Sequence, residues 1–171
     1  MGLVTIGLEK VEVAPLAGDG GPGTTFATIG FTSKGTFSFQ EDDATVKNVE
    51  AEETSTPLKS FKTPGARRLL FSLADPDSAA LALTRGGTVN TAGGGTVYEE
   101  DEAVEYECTI RVTPKEGFKS FQYNKVSLLG KLNGGLGADQ ELLLEIVVDI
   151  LKPTKEGVKI MEIVEVAPTG G

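Results

Sequence analysis

The stretch Ala103-Val104-Glu105-Tyr106-Glu107-Cys108-Thr109-Ile110-Arg111-Val112 decides the fold class. Val104, Tyr106, Cys108, Ile110 and Val112 alternate with Glu105, Glu107, Thr109 and Arg111. Successive strand residues point to opposite faces, so this pattern predicts a β-strand with one face in a core and the other in water. A second clean apolar set follows downstream in Leu142, Leu144, Ile146, Val148 and Ile150. Its opposite face, Glu141, Leu143, Glu145, Val147, Asp149 and Leu151, is half apolar and is expected to contact something.

Outward from these two strands, turn formers divide the chain into short elements. Residues 114–117 and Asn133-Gly134-Gly135 are turns on either side of a strand at residues 119–132, with a break expected near Leu128-Leu129-Gly130. Residues 3–13 read as a strand that ends in Asp19-Gly20-Gly21-Pro22-Gly23, and residues 26–39 as one or two strands with Phe37 and Phe39 on one face. Residues 66–73, with Leu69, Leu70, Phe71 and Leu73, read as a buried strand. Asp75-Pro76-Asp77 supplies an N-cap and a proline suited to the first helical position, and Arg85-Gly86-Gly87 a stop, so a helix is expected near residues 76–84. Two short strands, 88–91 and 96–99, flank Gly93-Gly94-Gly95.

Between residues 40 and 65 the composition turns polar, and the reading is a strand and then a long exposed loop, of the kind that is functional or mobile. After the break at Lys152-Pro153-Thr154, residues 158–166 are expected to be an edge strand or a protruding arm. The sum is a mainly β fold: a two-sheet antiparallel β-sandwich or half-open barrel of about eight strands with one short helix, formed by residues 1–152, and an extension or extra edge strand in residues 153–171.

Composition narrows the function. With 171 residues, one domain is the default expectation. There is no histidine, which removes Ser-His-Asp and Cys-His catalysis, and with one cysteine the usual zinc sites go too. Neither Glu41-Asp42-Asp43 nor Asp75-Pro76-Asp77 has the spacing of a calcium loop, and the glycine runs lack the ending of a phosphate loop, so no cofactor or metal is expected. A glycosidase needs only two carboxylates, but tryptophan is absent and tyrosine occurs three times, so aromatic sugar platforms are scarce. No enzymatic activity is expected. Cys108, on the apolar side of its strand, reads as a small core residue. The first ten residues carry no secretory pattern, and no apolar run is long enough to span a bilayer.

The net charge of −9 opposes phosphate binding, which requires lysine and arginine to displace counterions. Six acids, Glu99, Glu100, Asp101, Glu102, Glu105 and Glu107, fall within nine residues with no base among them. In an isolated protein they are a solvated hairpin end and a wet strand face. Repeated by symmetry around a ring, they would line a channel that repels DNA phosphates and lets DNA slide without sticking.

The order of these features resembles the major tail tube proteins of long-tailed bacteriophages: a short N-terminal strand, a long polar segment, one mid-chain helix, then alternating strands. Phe71-Ser72-Leu73-Ala74-Asp75-Pro76-Asp77, the helix, and Gly86-Gly87-Thr88-Val89 look like the middle of such subunits. The resemblance covers roughly residues 2–153 and implies hexameric rings stacked head to tail around a DNA channel, with no catalytic residue. It also implies tape measure and tail terminator proteins as partners, and a location in a virion or prophage-derived tail made in the host cytoplasm. A non-catalytic β-sandwich binding module, for carbohydrate or protein, is the alternative.

Overall fold

The computed structural model describes residues 5–117 and 119–165. In chain order the elements are β1 (Lys10–Pro15), β2 (Ala27–Thr28), β3 (Ser38–Glu41), β4 (Thr45–Val49), β5 (Lys59–Thr63), β6 (Arg67–Ala74), α1 (Ser78–Arg85), β7 (Thr88–Asn90), a 3-10 turn, β8 (Val97–Glu99), β9 (Tyr106–Thr113), β10 (Lys119–Gly134), β11 (Leu142–Ile150) and β12 (Met161–Glu165). Eight strands form one antiparallel sheet, β2-β1-β9-β10-β11-β6-β3, with β12 beside β10. The chain is mainly β with one short helix, as the alternation from Tyr106 to Val112 predicts; Val104, expected on the core face, lies ahead of β9 and is exposed, as is Leu142 at the start of β11, because each sits where the strand emerges from the core. Leu3, Val4 and Val166, which belong to the strands expected at residues 3–13 and 158–166, lie outside the described residues.

The sheet curls until its two sides are joined by one connecting segment. Thr28 pairs with Glu12 of β1, and four residues on Thr32 bridges Leu73 of β6. Ile29 N–H donates to Val11 O, and Ala74 N–H donates to Phe31 O, so residues 27–33 span the gap between β1 and β6. This makes a half-open barrel. Its interior is Val11 and Val13, Leu69, Phe71 and Leu73, Cys108, Ile110 and Val112, Tyr123, Val126 and Leu128, and Leu144, Ile146 and Val148, all buried. These residues alternate along β6, β9 and β11, so the hydrophobic gain that holds the sheet closed is already written in the period of two.

β10 is continuous over 16 residues, and the expected break at Leu128-Leu129-Gly130 is absent. The irregularity lies earlier: Tyr123 faces Ile110 and Val126 faces Cys108, so β10 gains one residue on β9. This bulge lets both halves of β10 aim their large side chains inward. It also marks a change of neighbour, because β12 pairs with residues 119–123 and β11 with residues 126–134. Opposite the bulge, Thr109 is wholly buried; its hydroxyl donates to Asn124 O (2.9 Å) and accepts from Gly23 N–H (2.8 Å). Asn124 donates through Nδ2 to Lys159 O (2.9 Å) and accepts from Gln122 Nε2 (2.9 Å). The returning strand β12 is therefore pinned where periodicity gives no signal.

Helix α1 lies on the inner face at one end of the barrel, with Ala80 and Thr84 buried. Its N-cap is Asp77, whose Oδ1 accepts from Ala80 N–H at 2.7 Å. Asp75, the first candidate for that role by sequence, instead turns the chain with φ of 50°. Gly86 closes the helix, donating its N–H to Ala82 O with φ of 77°.

The polar segment 40–65 is not a loop. β4 and β5 pair over five registers as a two-stranded arm, and every residue in both strands is exposed. Lys47, Val49, Lys59 and Phe61 share one face, where Lys59 Nζ sits 4.6 Å from the Phe61 ring. The arm's base is tight, since Asp42 N–H donates to Ala66 O and a side chain at Gly65 would collide with the Asp42 carbonyl. The apolar members Val46, Val49, Leu58 and Phe61 are legible as exceptions in a polar run, and they are 43–65% exposed.

Candidate functional site

Strand directions sort the connections onto two ends. β6 and β9 run in opposite directions, because β10 and β11 stand between them in an antiparallel sheet. One end therefore holds α1, the β7–β8 hairpin, the acidic residues leading into β9 and the β10–β11 turn. The other holds the β4–β5 arm and the β9–β10 turn, whereas the connection from β11 to β12 leaves and rejoins the sheet beside the bulge at Asn124-Lys125, part-way along β10.

The six acids of the 99–107 stretch have different surroundings. Glu100 is the most constrained. Arg85 donates to it twice, from Nε to Oε2 (2.8 Å) and from Nη2 to Oε1 (2.7 Å), while Arg85 Nη1 donates to Gly130 O (2.8 Å). Tyr98 Oη is 2.6 Å from Glu100 Oε2 and 2.9 Å from Gly86 O. Only 20% of the Arg85 side chain and 22% of Glu100 remain exposed. A planar guanidinium and a carboxylate in this two-point geometry form a strong, directional pair. It ties the end of the helix to the β7–β8 hairpin and to β10.

Hydrogen bonding from Arg85, then from Tyr98, lowers the Glu100 pKa from 4.5 to about 2, and the hydrogen bond to Glu100 raises that of Arg85. Burial first, and then the bond to Glu100, raises Tyr98. A carboxylate depressed in the folded state contributes stability that is complete above its ordinary pKa and is lost as the pH falls through the folded value. The stability difference between wild type and Glu100→Gln is therefore expected to be largest above about pH 4.5 and to shrink towards about pH 2. Urea unfolding across that range checks it; a difference that does not change with pH would overturn the assignment.

The other five acids divide. Glu105 accepts from Ser127 Oγ at 2.7 Å, and Glu107 pairs with Lys125 at 3.4 Å. Glu99, Asp101 and Glu102 are exposed at the mouth of the barrel, with no ion pair among the described residues. The stretch is thus one structural carboxylate, two outward-facing acids held by neighbours, and three open ones at one end. Cys108 is fully buried, and burial alone pushes its thiol up to about 12, so it stays protonated at neutral pH. Among the described residues no cluster of acids and cysteine is placed to hold a metal ion, and no helix is long and apolar enough to cross a membrane.

One feature was not anticipated from the sequence. A groove of about 740 Å³ runs along the closing seam between residues 5–10, residues 28–35 and β3. Its aromatic floor is continuous with the core: Phe37 stacks on Phe71 (5.8 Å) and meets Phe39 edge-on (5.2 Å), and Phe39 lies 5.5 Å from Phe121. Phe31 stands at its wall, 88% exposed. The shared face of Phe37 and Phe39 is legible in sequence; the long-range meeting with Phe121 is not. No protein-family model matches the chain, and no curated protein matches it significantly.

Proposed function

We propose that this is a non-enzymatic structural protein whose copies assemble into rings stacked head to tail, as a phage or prophage-derived tail tube with an acidic, DNA-conducting lumen. The observation that supports it best is the unequal charge of the two ends. On one, residues 97–105 carry five acids and no base, and residues 134–142 add Asp139 and Glu141. On the other, residues 113–119 carry two lysines and one glutamate, and the arm, residues 42–66, carries three lysines and five acids. A strongly acidic end thus stands opposite a nearly balanced one that carries lysines, and Glu99, Asp101 and Glu102, which have no ion pair among the described residues, can find partners on a second copy stacked head to tail. Such heterologous contacts propagate as stacks or filaments.

The arm adds to this reading. An isolated two-stranded hairpin is marginal in water, and this one exposes four large apolar side chains, so it is suited to being covered by a neighbour. The open acids Glu99, Asp101 and Glu102, with Glu105 and Glu107, would place negative charge at each ring's channel and repel DNA phosphates. Tape measure and tail terminator proteins would be partners of such a tube, in a virion tail or prophage-derived tail made in the host cytoplasm.

Analytical ultracentrifugation from micromolar to millimolar concentration, with negative-stain microscopy, tests the proposal. Concentration-dependent hollow rings or tubes are expected. End-to-end stacking should weaken between about 0.1 M and 1 M salt, as the screening length falls from roughly 10 to 3 Å. The triple change Glu99→Lys, Asp101→Lys, Glu102→Lys should abolish stacking without unfolding the subunit. A wild type that stays monomeric throughout would overturn the proposal. It would favour instead a non-catalytic binding module, for which the phenylalanine-floored groove is the supporting observation.

A further inference from the structure

We infer that the groove along the closing seam receives the tip of the β4–β5 arm of a second copy, and that this contact joins neighbours side by side within a ring. The inference rests on the assembly reading above and gives it a lateral interface. Three observations carry it.

The first is chemical fit. The arm's tip, residues 50–58, reads Glu50-Ala51-Glu52-Glu53-Thr54-Ser55-Thr56-Pro57-Leu58, with three carboxylates ahead of an apolar end. Leu58 is 65% exposed and Phe61 47%. The groove offers the counterpart: an aromatic floor of Phe37, Phe39 and Phe121, a wall at Phe31, and a rim bearing Lys10, Lys34 and Glu9. Lys10 is paired with Glu12 at 3.2 Å, whereas Lys34 is exposed and has no ion pair among the described residues. Glu50, Glu52 and Glu53 likewise have none. Leu58 on the aromatic floor, with a tip carboxylate at Lys34, satisfies both partners at once.

The second observation is reach. The arm extends about seven residues beyond its base at Asp42 and Gly65, which at roughly 3.3 Å per residue is about 23 Å. That is far enough to cross to an adjacent barrel. The base is close-packed around Gly65 and the Asp42 carbonyl, and in the structure the two strands of the arm pack chiefly on each other, away from their own groove.

The third is placement. The arm leaves the sheet after Glu41 of β3 and returns at Arg67 of β6, and the groove is lined by Phe37 and Phe39 of the same edge, so both belong to one side of the molecule. In a ring whose members all point the same way, an arm at that level meets its neighbour's groove at the same level.

The experiment uses the full chain in two variants. Leu58→Ser with Glu52→Lys and Glu53→Lys disables the arm as donor; Phe31→Ser with Lys34→Glu disables the groove as acceptor. All five positions are exposed, so neither variant removes a core contact. Each alone is expected to fail to form closed rings, and an equimolar mixture is expected to give a heterodimer, because one variant keeps a working arm and the other a working groove. Sedimentation velocity and electron microscopy read the result. If wild type forms rings and both variants do so equally well, the arm-in-groove contact is overturned and the assembly reading stands. If wild type forms rings that never stack, the stacking reading falls and this contact stands. A monomeric wild type, or a mixture that stays monomeric, overturns the contact.

Discussion

Phe71→Ala is expected to destabilise the subunit by about 3–5 kcal/mol, the range for removing a fully buried phenylalanine and leaving a cavity. Phe71 is 1% exposed at the centre of β6, facing Ile146 of β11 in register. On its inner side it carries the stacked ring of Phe37, which in turn supports Phe39 and the floor of the groove. Truncation removes transfer energy at a site whose neighbours, Leu69 and Leu73 on the same strand, are already immobilised by pairing on both sides of β6. Little collapse can fill the space. Against a typical net stability of about 5–15 kcal/mol, the loss is a large fraction. Urea unfolding of the monomer should show a lower midpoint with an unchanged slope; a loss below about 1 kcal/mol would show that Phe71 is not central to the core.

The residues that define this core were legible because strand periodicity is a short-range signal. Cys108, Ile110 and Val112, and Leu144, Ile146 and Val148, announce their face to any reader of the chain, and the structure buries all six. The helix was legible from capping chemistry, with the cap moved from Asp75 to Asp77. Features that depend on distant parts of the chain were not legible. Residues 40–65 read as a loop because an exposed hairpin buries almost nothing, so its strands lack a core-facing pattern. Its pairing is set by register alone. The bulge at Asn124-Lys125 is specified by Thr109, Gly23 and Lys159, which are far apart in sequence and meet only in the fold.

The acidic stretch shows the same boundary. Its six carboxylates look equivalent in the sequence. They differ because Arg85, Ser127 and Lys125 arrive from other elements to engage Glu100, Glu105 and Glu107. The groove was half legible: Phe37 and Phe39 share a face by parity, but Phe121 reaches them only because the sheet curls.

Gly130→Val is the second large effect, expected to cost about 3 kcal/mol and to loosen α1 from the barrel. The sequence suggests that Gly130 interrupts its strand; in the structure it lies within uninterrupted pairing, opposite Ile146. Its role is close approach. A Cβ there would stand 2.6 Å from Thr84 Oγ1 and 2.9 Å from Leu144 Cδ1. Both neighbours are wholly buried, and the Thr84 hydroxyl is engaged, donating to Ala80 O at 2.8 Å, so neither can move aside cheaply. The added side chain must displace the helix. Moving α1 also strains the Arg85 bond to Gly130 O and, through Arg85, the hold on Glu100 and the β7–β8 hairpin. Hydrogen exchange should therefore show a selective loss of protection at residues 78–86 and 97–100, with β9 and β11 still protected. Gly130→Ala should give the same pattern with a smaller loss. Uniform loss of protection would mean that the helix is not an independently released element, and unchanged stability would mean that the close approach of Thr84 to β10 is not a constraint on the fold.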